Sequence, residues 1–147
     1  MIETTPSFEQ EYLTVHIEDA LFGIPVKKVK DVFSSQPIMP VPLASSDILG
    51  VMNLRGNIVT AINLRERLSL FEQANPKKGM HVVVEYGDEL YSLVIDSVGE
   101  VLSLPPETIE AAPSILDPKW REVTSGVYKL KDKLLIILNL DKILKNS

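Results

Sequence analysis

A mostly β fold built from two similar units is what this sequence predicts, and three observations carry that reading. Short apolar runs rich in Val, Ile, Leu and Thr are punctuated by ten prolines and seven glycines, the spacing of strands and turns. From Tyr12 to Ile17, Leu13, Val15 and Ile17 alternate with Tyr12, Thr14 and His16, the period of a strand with one buried face. Finally, two blocks recur without gaps: Phe22–Phe33 overlays Tyr91–Leu102, 69 positions on, and Leu49–Leu68 overlays Ser125–Leu144, 76 positions on. Eight identities in 32 positions are weak alone, but most other pairs keep apolar against apolar and the elements keep their order.

The elements follow in order. Leu21–Val26 comes after Asp19 and Ala20 and predicts a hairpin with the first strand. Three prolines between Pro37 and Ala44 exclude a helix interior there. Ile48–Leu54 and Asn57–Ile62 read as strands joined by Arg55 and Gly56, where glycine takes a backbone conformation other residues resist. Asn63 is placed to cap a short helix, with Glu66 at the capping-box position. Glu72–Gly79 reads as a linker, after which strands resume at His81–Glu85 and Tyr91–Ile95. Leu54, apolar in both units, is expected in the core. Each unit is near 60 residues, a size at which a core is marginal, so the two are expected to share a buried interface within a single domain spanning residues 1–147, with subdomains near 20–75 and 76–147 and the first strand able to cross between them.

With no cysteine, the chain has no thiol nucleophile, thiolate metal site or disulfide. Its net charge of −5, without a run of basic residues, leaves no footprint for nucleic acid. The N-terminal MIETTPSFEQEYL lacks the pattern of a signal peptide, and the longest strongly apolar run, Leu134–Leu138, is far too short to span a bilayer, so no membrane insertion is expected. The two imidazoles, His16 and His81, lie apart and without a carboxylate at ligand spacing, so neither metal nor other cofactor is expected and both read as solvated strand histidines. Ser45, Ser46 and Asp47 read as turn and cap residues.

A pattern of charged pairs remains. Asp31 aligns with Glu100, and Arg55 with Lys131. Glu100 and Lys131 read as unrelated surface charges, whereas Arg55 in its tight turn can form a bidentate fork with Asp31. Val26, Val29 and Val32 recur at three-residue spacing, with Ile95, Val98 and Val101 as counterparts. Core packing is the ordinary role of such residues; a shallow apolar groove where the units join would seat a partner helix.

Four ordered segments carry a resemblance to a known family: FGIPVKKVKDVF, VPLASSDILGVMNLRGNIV, LVIDSVGEV with LPPETIEAAP, and VTSGVYKLKDKLLIILNL. Over about Tyr12–Leu144 the chain resembles the CheW-like family of bacterial chemotaxis coupling proteins. The resemblance implies two intertwined five-stranded β-barrels sharing an apolar interface, each ending in a short helix. It implies a non-enzymatic cytoplasmic adaptor, recruited to membrane-associated receptor arrays, that binds the chemoreceptor signalling tip and the regulatory domain of a CheA-type histidine kinase. Val26, Val29, Asp31, Gly50, Arg55 and Val98 would form the receptor-binding groove, with Asp31 standing where a glutamate is more usual, and no kinase-binding residue is assigned. The expectation from another class is a small-ligand-binding β protein or a hydrolase, with the groove between subdomains as its pocket and Ser45 and Asp47 as the residues to test.

Overall fold

Strand alternation, turn chemistry and caps place nearly every element where the sequence expects it. The computed structural model describes residues 9–34, 37–68 and 79–144, so the expected linker over 72–78 lies outside the described residues. Strand β1 (Gln10–Ile17) turns through Glu18 and Asp19 into β2 (Ala20–Pro25), and a 3-10 turn (Val26–Lys28) leads to β3 (Val29–Phe33). After the proline-rich segment come β4 (Ile48–Leu54), β5 (Asn57–Asn63) and helix α1 (Leu64–Arg67). The second half contains β6 (Met80–Tyr86), β7 (Glu89–Ile95), β8 (Ser97–Leu104), α2 (Pro118–Glu122), β9 (Thr124–Lys129), β10 (Leu134–Leu138) and α3 (Leu140–Leu144). Asn63 caps α1 by accepting the Glu66 N–H, and Asn139, its repeat counterpart, accepts the Lys142 N–H at the start of α3. The Glu66 carboxylate accepts instead from Ser46 Oγ, so the capping box is half made.

The strands form two five-stranded sheets, ordered β8-β1-β2-β10-β9 and β3-β6-β7-β5-β4. Advancing or retreating each strand by its repeat distance turns one order into the other, and the register follows. Leu21 opposite Leu135 becomes Leu90 opposite Val59, and Val127 opposite Ile136 becomes Val51 opposite Thr60. Even the irregularities recur: the register shift between Val29 and Asp31 on β3 has its equal between Leu13 and Val15 on β1, facing β8. The sheets therefore exchange strands across the chain. β1 and β2 join β8–β10, and β3–β7 form the other sheet, a grouping distinct from a division near residue 75.

The end strands of each sheet do not pair with each other among the described residues, so the units are curled open sheets rather than closed barrels. The outer edge of β4 receives one isolated bridge, Met39 to Val51, and β9 receives its counterpart, Glu110 to Val127. Single bridges satisfy part of each edge without closing it.

The main core lies between the sheets and contains Val15, Phe22, Ile24, Leu93, Ile95, Ile136 and Leu138. A smaller core sits on the other side of each sheet: Tyr12, Leu21, Tyr128, Leu135 and Ile137 for one, Met52, Val59 and Val83 for the other. This corrects the half-buried reading of β1, because Tyr12 and Thr14 are buried as well as Leu13, Val15 and Ile17. Trp120 of α2 packs on Phe22, with ring centroids 5.3 Å apart, and donates its indole N–H to the Leu68 carbonyl at 2.9 Å.

Candidate functional site

The turn Asn53-Leu54-Arg55-Gly56 builds one side of an exposed cleft. Arg55 (φ 54°) and Gly56 (φ 88°) both take left-handed conformations, the geometry that joins two twisted strands in two residues. Asn53 Oδ1 accepts the Gly56 N–H at 2.9 Å and fixes the turn. From it Arg55, its side chain 78% exposed, reaches Asp31 on β3, Nη1 to Oδ2, at 2.8 Å. The contact is one hydrogen bond rather than the expected bidentate fork, since the other Asp31 oxygen accepts the Val32 N–H at 2.9 Å. Lys30 and Glu85 make a second pair at 3.3 Å. Together with Leu54, Asn57, Val83 and Leu90 these residues enclose a cleft of about 300 Å³.

Leu54 is half-buried at this cleft and packs only at the margin of the smaller core, so its expected place in the core is corrected. Leu54→Ala is expected to cost about 1–2 kcal/mol in urea unfolding, below the roughly 2–5 kcal/mol of a buried leucine.

The remaining sequence-predicted residues do not line this cleft, and Val98 lies on β8 of the other sheet. Val26, Val29 and Val98 are partly buried against the core between the sheets. Gly50 is buried in β4, its Cα facing the Met39 carbonyl so closely that an added Cβ would lie 2.2 Å from the oxygen. Among the six, Asp31 and Arg55 are joined by a side-chain hydrogen bond, and the Val29 N–H donates to the Val26 carbonyl.

A second cleft, of about 400 Å³, occupies the equivalent place on the other sheet. All eight residues lining the first have their repeat partners there: Gly99 for Lys30, Glu100 for Asp31, Leu130 for Leu54, Lys131 for Arg55, Lys133 for Asn57, Thr14 for Val83, His16 for Glu85 and Leu21 for Leu90. Glu100 and Lys131 make no ion pair within 4 Å among the described residues, in keeping with their reading as unpaired charges, yet they share this cleft. The signal for it lay in the two repeat distances.

Two buried polar features escaped the sequence reading. Arg65, its side chain 7% exposed, donates Nε and Nη2 to the two oxygens of Asp96 at 3.0 and 2.5 Å, and Nη1 to Glu18 at 2.5 Å. Burial lowers its affinity for a proton, but the bonds to Asp96 and Glu18 outweigh that and raise its pKa above the ordinary value. Asp96 sits where the chain passes from β7 to β8, and Glu18 in the β1–β2 turn, so this clamp ties α1 on one sheet to a hairpin of the other. His81 is fully buried rather than solvated; its Nδ1 is hydrogen-bonded to Ser92 Oγ at 2.8 Å and its ring stacks on Phe33. An arginine just inside a helix cap and a histidine aligned with Tyr12 are the weak signs the sequence carried.

Ser45 and Asp47, the residues considered for hydrolysis, are engaged locally. Ser45 Oγ donates to Asp47 Oδ1 at 2.7 Å, and the other Asp47 oxygen accepts from Arg67. Burial raises the Asp47 pKa, but these two bonds more than reverse the effect and hold the carboxylate below its ordinary range, making it a poor base. No group of three His, Cys, Asp or Glu residues suited to a metal occurs among the described residues, and none of the described helices is long and apolar enough to cross a membrane.

Comparison with known proteins gives this architecture its family. The model of the CheW-like domain matches residues 11–147. A chemotaxis protein CheW of Treponema pallidum is 26% identical over 141 residues, covering 93% of this chain and 83% of that protein; one of Klebsiella aerogenes is 28% identical over 138 residues, covering 94% and 83%. The crystal structure of the scaffolding protein TtCheW from Thermoanaerobacter tengcongensis superposes with a TM-score of 0.80 at 26% identity, covering 89% of each chain. With two five-stranded sheets and nearly the whole length matched, the chain belongs to the CheW-like family of chemotaxis scaffold proteins.

Proposed function

We propose that this domain is a non-enzymatic cytoplasmic adaptor that couples the signalling tip of chemoreceptors to the regulatory domain of a CheA-type histidine kinase, within arrays at the membrane. The observation that carries the reading is the Arg55–Asp31 pair, a guanidinium 78% exposed yet held in a defined direction by a rigid turn and a strand. Such a pair contributes little to folding, but a pre-oriented charge beside apolar side chains suits recognition of a helical partner. Val26, Val29, Asp31, Gly50, Arg55 and Val98 are assigned to the receptor-binding region: Asp31 and Arg55 contact the partner, and Gly50 keeps the adjoining backbone in place.

Calorimetric titration with a receptor-tip fragment and, separately, with a kinase regulatory domain tests this. The domain is expected to bind both. Arg55→Ala is expected to weaken receptor binding about tenfold, or ~1.4 kcal/mol, while lowering stability by less than about 1 kcal/mol. Val29→Glu is expected to weaken the same interaction and spare the kinase. Binding to neither partner overturns the function, and normal receptor binding by a strongly destabilised Arg55→Ala variant makes the pair structural.

A further inference from the structure

We propose that His81 is a proton-sensitive pin beneath β3, so that acidification releases the strand carrying the Asp31 side of the first cleft. The side chain has no exposed surface, and its Nε2 has no hydrogen-bond partner. Its cross-strand neighbours are Phe33 on β3 and Val94 on β7. The imidazole lies nearly parallel to the Phe33 ring, 5.1 Å between centroids, and Nδ1 is satisfied by Ser92 of β7. A neutral imidazole fits these surroundings better, because Nδ1–H can donate to Ser92 Oγ and an unpaired Nε2 lone pair costs less to bury than a charged N–H without an acceptor. The imidazolium does not fit: both nitrogens then donate, and Nε2–H finds no acceptor.

No charged group offsets this. Burial alone perturbs the ring and lowers its pKa, with no carboxylate or ammonium contributing from β3, β6 or β7. The nearest acid along β3, Asp31, lies opposite Val83 and is held by Arg55. The element that can yield is β3, an end strand of only five residues with a single neighbour in its sheet, whose pairing with β6 already slips between Val29 and Asp31. Once β3 lifts, His81 meets water and titrates near its ordinary value of 6.5. Opening is thus favoured progressively as pH falls below that value, the gain at pH 5.5 being at most about tenfold.

The repeat supplies an internal control. β8 is the equivalent end strand of the other sheet; the residue matching His81 beneath it is Tyr12, and His16, the histidine that faces β8 opposite Ser97, is half-buried rather than enclosed. Amide hydrogen exchange of the full chain, corrected for the intrinsic pH dependence, is the test. Protection over Val29–Phe33 is expected to fall severalfold, by at most about tenfold, between pH 7.5 and 5.5, and to fall less over Ser97–Leu104. His81→Gln removes the titrating ring and is expected to flatten the β3 response; His81→Phe, which retains an aromatic ring for Phe33, serves if the glutamine variant fails to fold. Equal loss of protection in β3 and β8, no loss in β3, or a loss that persists in the folded variant overturns the proposal.

Discussion

Gly50→Ala is expected to destabilise the domain by about 3–5 kcal/mol, the largest effect of any single methyl group considered. Gly50 has φ 145°, which L side chains rarely adopt, and an added Cβ would stand 2.2 Å from the Met39 carbonyl oxygen and 2.7 Å from its carbon. Both neighbours are backbone, and they belong to the bridge that brings Met39 onto the edge of β4. Backbone strain and steric overlap of this kind each cost roughly 1–3 kcal/mol. Gly126, the repeat counterpart, supplies the comparison: its added Cβ would meet Ile109 side-chain atoms at 2.7 Å and the Glu110 carbonyl oxygen at 2.9 Å, without a left-handed φ. The Ile109 side chain can turn aside and the Glu110 oxygen need move only a few tenths of an ångström, so Gly126→Ala is expected to cost less, about 1–3 kcal/mol. Urea unfolding of the two variants measures the difference, and equal losses would mean that the Met39 segment moves as readily as a side chain.

Arg65→Ala is expected to cost about 2–4 kcal/mol and to lower Tm by roughly 5–15 °C. The guanidinium is buried, and its removal leaves Asp96 and Glu18 facing each other without a cation, while the Glu18 N–H still bonds Asp96 at 2.8 Å. These carboxylates keep about 30% of their surface, so water returns part of the loss, which places the estimate below that for a fully buried pair. Calorimetric unfolding at neutral pH reads the effect. A change within about 0.5 kcal/mol would make the clamp an ordinary surface pair.

The sequence revealed the strands well because apolar spacing and turn residues act locally. Ile48–Leu54 is bounded as expected, and the Arg55-Gly56 turn and the Asn63 cap have the geometry that their residue types favour. The Asp31–Arg55 contact was also legible, through its repetition at Glu100 and Lys131. Burial on the second face of β1 was not, since Tyr12 and Thr14 look polar next to Leu13 and Val15 and only tertiary packing covers them. The same holds for His81, whose concealment depends on Phe33 and Ser92 arriving from other strands. Leu54 failed in the opposite sense: it is apolar in both units because it lines the margin of a cleft, a role that periodicity does not separate from a core position. The Arg65 clamp joins residues 31 and 47 positions apart, beyond the reach of any helix or strand period.

The exchange of strands between sheets sets an order of events during synthesis. The sheet of β3–β7 is complete once residue 95 has emerged, but β1 and β2 wait for β8–β10, which finish at Leu138. At ordinary ribosomal rates the intervening stretch, about 110 residues after Pro25, takes roughly 5–20 s to appear. Until the opposing sheet is complete the first hairpin presents Leu13, Val15, Phe22 and Ile24 uncovered, and its own sheet lacks β9 and β10 to the end of that interval. The nascent chain is therefore most exposed to aggregation, and most in need of a holding chaperone, at its oldest end rather than its newest.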